Sequence, residues 1–73
     1  MNLITIKGLK DNTIVRSMLN YETEDAAVAA MYYELWYATS DKNTIGLICV
    51  IMNDMGEVIK TEKYSKLIPA EEV

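Results

Sequence analysis

The stretch "AAVAAMYYELWYA", residues 26–38, limits the possible folds more than any other part of this chain. It contains one charged residue, Glu34, among alanines, aliphatics, tyrosines and a tryptophan. Thr23 before it is a predicted N-cap, and Glu24 and Asp25 place negative charge in the first turn, so a helix is expected from there to about Thr39. Stepping at 100° per residue puts Ala27, Val28, Met31, Leu35 and Ala38 on one side, with Tyr32 at the border. The opposite side holds Ala26, Ala29, Ala30, Tyr33, Trp36 and Tyr37, with Glu34 at its edge. In a lone soluble domain that second side should be polar. Here it is not.

Length sharpens the problem. The chain has 73 residues, enough for one domain and one small core. Domains of this size often rely on disulfides, a metal or oligomerisation for stability. A single cysteine, Cys49, cannot form an internal bridge, and it fits a reducing, cytoplasmic setting. With no histidine and one thiol, a structural zinc site has too few soft ligands. Oligomerisation remains.

The flanking segments read as strands. "NLITIKGLK" (2–10) and "TIVRSMLNY" (13–21) are rich in branched apolar residues around Asp11-Asn12, a pair suited to a two-residue turn. Such a turn pairs Ile4 with Leu19, Ile6 with Ser17 and Gly8 with Val15, and sets Lys7 opposite Arg16 as a like-charge pair. If Ile4, Ile6, Val15 and Leu19 face the helix, Leu3, Leu9, Ile14 and Met18 look outward. "TIGLICVIM" (44–52) is apolar enough for a central strand. "NDMG" (53–56) is the strongest turn signal, and pairing Ile51 with Val58 around it groups Ile45, Leu47, Cys49 and Tyr64. "EVIKTEKY" (57–64) carries the charges of a protected edge. The expected fold is therefore α+β: ββαββ in two layers, a four-stranded antiparallel sheet of order 2-1-3-4 with one helix across one face. Residues 1–64 form the domain and 65–73, containing Pro69, a loose tail.

Catalytic templates are sparse. Without histidine there is no His general base and no Ser-His or Cys-His pair. Cys49 in an apolar strand reads as packing, and the three glycines (8, 46, 56) are too scattered for a phosphate loop. "NDMGE" lacks the alternating acids and distal Glu of a calcium loop. Glu34 beside Tyr33 and Tyr37 could line a small-molecule site, but the same residue suits the wet edge of a helix. A net charge of −4 disfavours broad nucleic-acid binding and anionic membranes. No cofactor is implied. The hairpin–helix–hairpin layout resembles that of small proteins of bacteria and their phages, and no functional residue is carried over from it.

These readings converge on a cytoplasmic, non-catalytic protein that self-associates as a dimer. Its expected interface is Ala26, Ala29, Ala30, Tyr33, Trp36 and Tyr37, or else the outer sheet face. Two alternatives stay open. The Tyr33/Trp36/Tyr37 ledge could dock on a different protein, making the chain an adapter or inhibitor. Or those rings could pack over the helix ends or against "KLIP" (66–69), closing a monomer.

Overall fold

The structure, a computed structural model, describes residues 1–66. Strands β1 (Asn2–Leu9) and β2 (Ile14–Asn20) form a hairpin, helix α1 (Glu24–Ser40) follows, and β3 (Thr44–Met52) and β4 (Val58–Ser65) form a second hairpin. All neighbouring strands are antiparallel and the sheet order is β2-β1-β3-β4. The two-layer ββαββ architecture and the strand order are as the sequence leads one to expect. Ser65, placed in the tail by the sequence, belongs to β4, and the Lys66 N–H donates to the Ile45 carbonyl at 2.9 Å. The remainder of the predicted tail, like Leu67–Pro69 of the "KLIP" segment, lies outside the described residues.

Both hairpins close through three-residue loops of one kind. In each, the third loop residue has positive φ, Asn12 at 71° and Gly56 at 84°. Its N–H donates back to the residue before the loop, Asn12 to Leu9 at 2.9 Å and Gly56 to Asn53 at 3.1 Å. Side chains brace both turns: Asp11 accepts the Thr13 N–H, and Asn53 accepts the N–H groups of Met55 and Glu57. Added at Gly56, a Cβ would meet nothing within 4 Å. Only backbone strain therefore opposes substitution, and Gly56→Ala is expected to cost about 1–2 kcal/mol. The check is a lower urea midpoint at unchanged slope.

The loop length corrects the predicted pairings. Leu3, not Ile4, lies opposite Leu19, and Lys7 faces Val15 while Arg16 faces Ile6. A one-residue slip turns every side chain of one strand to the other face. Leu3, Thr5 and Lys7 thus share the helix side with Val15, Ser17 and Leu19, while Ile4, Ile6, Ile14, Arg16 and Met18 look outward. The slip also separates the two cations that the two-residue turn sets opposite each other. In the second hairpin Ile51 pairs with Lys60 rather than Val58, across an irregularity at Ile51/Met52. That shift is by two, so Leu47, Cys49 and Tyr64 still share a face, as expected.

The core lies between α1 and the middle of the sheet. Ala27, Met31 and Ala38 meet Leu3, Leu47, Cys49 and Ile51, all buried, with Val28, Ala30 and Leu35 packed at the margin. Thr23 caps the helix, its hydroxyl accepting the Ala26 N–H at 3.1 Å. At the far end Asp41 ties helix to sheet. Its N–H donates to Tyr37, and its carboxylate accepts the Asn43 N–H and the buried Thr44 hydroxyl, each at 2.9 Å. Those two donors, first the Asn43 N–H, hold the Asp41 carboxyl below its ordinary pKa.

Candidate interaction surface

The outward side of α1 carries the aromatic ledge. Tyr33, Trp36 and Tyr37 are 58%, 62% and 47% exposed. Spaced i, i+3 and i+4, they gather side by side: ring centroids lie 6.0 Å apart for Tyr33–Trp36 and 6.5 Å for Tyr33–Tyr37. Ala26 and Ala29 are exposed beside them. Ala30 differs from its neighbours in being half-buried against the core margin, because it sits on the flank of the helix rather than its crest. The helix is apolar on both sides, and its own sheet covers only one.

Two cations steady the flanks. The Lys7 ammonium stands 5.6 Å from the centre of the Tyr37 ring, and Lys60 of β4 stands 5.8 Å from that of Tyr32. The Tyr37 flank of the helix thus faces β1 and its Tyr32 flank faces β4.

Periodicity alone does not reveal how bare β2 is. All seven of its residues are exposed, on both faces. A helix is about 10 Å wide and a four-stranded sheet nearly twice that. One helix therefore leaves part of the sheet open, and it packs over β3, β1 and β4. A shallow groove results between α1 and β2, lined by Leu3, Lys7, Val15, Leu19 and Glu34 among others. Comparing helix width with sheet width would have exposed this from sequence; hydrophobic patterning could not. On the outer sheet face Ile6, Ile14, Met18, Ile48 and Val58 are exposed as well.

Reactive chemistry is muted at this surface. Cys49 is buried under the helix, and burial, reinforced by the nearby charges of Glu34 and Glu62, pushes its thiol up to about 11. The thiol is thus protonated at neutral pH and a poor nucleophile. Among the described residues no three of His, Cys, Asp and Glu converge as a metal site, and no helix is long and apolar enough to cross a membrane. Comparison with protein-family models, with curated proteins and with solved structures finds no match to this chain.

Proposed function

We propose that this protein is a non-catalytic interaction module that works by self-association, with the Tyr33/Trp36/Tyr37 ledge as a dimer contact. One observation carries the reading: the helix is apolar around its circumference, and its outer half stands in water with three clustered rings. Hiding the exposed half of those rings would remove roughly 300 Å² from water, ~7 kcal/mol per copy before association costs. In a symmetric dimer both copies gain it, against an association cost of about 4–15 kcal/mol. Tyr and Trp supply this area with few rotatable bonds to immobilise, which suits them to interface centres. A single buried thiol is in keeping with a reducing cytoplasm.

Light scattering after size exclusion, from low to high micromolar protein, tests the reading. Mass should rise above that of one chain as concentration increases, and a strict monomer throughout would reject it. A second reading draws on the same geometry. Because the ledge is assembled within one chain, it could equally seat on a different protein, the adapter or inhibitor case. That case predicts a monomeric pure protein and a specific partner lost in the double variant Tyr33→Ala, Trp36→Ala.

A further inference from the structure

Among the described residues the sheet has two edges, and only one is defended. Strand β4 carries Lys60, Glu62 and Lys63, an ion pair of 3.7 Å between the first two, and a register irregularity beside Val58. Charges and irregularities are the usual devices that stop an edge from pairing with another chain. Strand β2, "IVRSMLN", has none of them except Arg16: no proline, no lysine, no bulge in its pairing with β1.

Its free backbone groups can be named. Antiparallel ladders alternate between hydrogen-bonded and non-hydrogen-bonded pairs. At one end of the hairpin Met1 and Tyr21 exchange bonds, and at the other the Leu9 N–H donates to Thr13. Odd-numbered residues of β2 therefore bond to β1. Ile14, Arg16, Met18 and Asn20 point their N–H and C=O groups out of the sheet.

We infer that this edge pairs with the β2 edge of a second copy, antiparallel, about a two-fold axis through Ser17. In that register Ile14 meets the other copy's Asn20, and Arg16 meets its Met18, as hydrogen-bonded pairs. Every outward N–H and C=O of both strands is then used. A shift by two residues in either direction strands one end of each strand. Val15 falls opposite Leu19 of the second copy on the helix side, at the closer spacing of a non-hydrogen-bonded pair. The small Ser17 sits on the axis opposite itself. No two charges oppose each other, because the only charge on the strand faces a methionine. A second copy fits this edge because the symmetric register opposes no like charges, seats the small Ser17 on the axis and matches Val15 with Leu19, demands that an unrelated strand would have to meet by its own sequence.

The inference rests on the self-association proposed above but uses a different surface from the ledge. A chain using both contacts has two separate dyads and assembles beyond two copies.

Ser17→Cys decides the matter. Non-hydrogen-bonded antiparallel pairs bring Cα atoms to about 4.5 Å, within disulfide reach. With oxidised glutathione as oxidant, full-length Ser17→Cys should form a disulfide-linked dimer at least tenfold faster than Val15→Cys, whose sulfurs lie far from each other across the axis. Wild type, whose Cys49 is buried, should stay uncrosslinked. Met18→Pro gives an independent reading, since it removes an outward N–H without touching the bonds to β1. It should lower the mass seen by light scattering while far-UV circular dichroism is unchanged. Equal crosslinking rates for Ser17→Cys and Val15→Cys, in a protein that still self-associates, would overturn the edge pairing and leave the ledge contact standing. A monomer at every concentration would overturn both. If the ledge reading alone is wrong, Trp36→Glu leaves the mass unaltered while Ser17→Cys still crosslinks.

Discussion

Trp36→Glu is expected to separate copies held through the helix ledge, raising the dissociation constant of that contact by roughly 30- to 1000-fold, the range for losing a central tryptophan. Two effects add. The substitution removes the largest ring of the cluster, and it puts a carboxylate where a partner's apolar surface would exclude water. The fold should survive, because Trp36 lies on the side of α1 away from Ala27, Met31 and Ala38, and the buried core does not include it. Far-UV circular dichroism should therefore match wild type while the mass falls. The same residue reports on the unmodified protein. As the only tryptophan in the chain, its emission should shift to longer wavelength on dilution, when the ring returns to solvent. Identical masses for wild type and variant across the micromolar range, with no emission shift, would remove the ledge from any self-contact.

The helix was legible because two signals agree: a Thr23 cap with acids behind it, and an aliphatic stripe through Ala27, Met31 and Ala38 that the structure buries. The strand order followed from contrast between strands, the greasiest one inside and the charged one at an edge. Register was not legible in the first hairpin. Asn12 tolerates positive φ, so Asp11-Asn12 can form a two-residue turn or end a three-residue one, and local chemistry hardly separates them. The difference is one residue, which exchanges Leu3 and Ile4 between core and surface. In the second hairpin the same uncertainty cost nothing, since a slip of two preserves the face. Ala30 shows the limit of helical wheels: it stands as far around the helix from the buried stripe as Val28 does, and both pack at the margin of the core, so a position at the flank belongs to neither face by angle alone. The bare β2 strand depends on how far one helix can reach across four strands, a question of widths that no local pattern contains.

Met31→Ala should be the most damaging substitution to the fold itself. Met31 is fully buried and is the one long side chain of the helix wholly inside, where it meets the sheet residues Leu3, Leu47 and Ile51. Its other buried helix neighbours, Ala27 and Ala38, are too small to fill the space it would vacate. Truncating a buried methionine costs about 2–5 kcal/mol through lost transfer energy and the cavity left behind. The total stability of a domain this size is on the order of 4–11 kcal/mol. The variant should thus lose from about a fifth of its stability to all of it, unfolding at the upper end. Met31→Leu, close in volume, should lose less than about 1.5 kcal/mol. Met55→Ala, in the exposed tip of the second hairpin, should stay within about 0.5 kcal/mol of wild type. Urea titrations of the three variants at one fixed protein concentration make the comparison, since association would otherwise shift the midpoints. Equal midpoints for Met31→Ala and Met55→Ala would mean that α1 does not lie on β3 as described, and the bare outer side of the helix would then have to be sought elsewhere on its circumference.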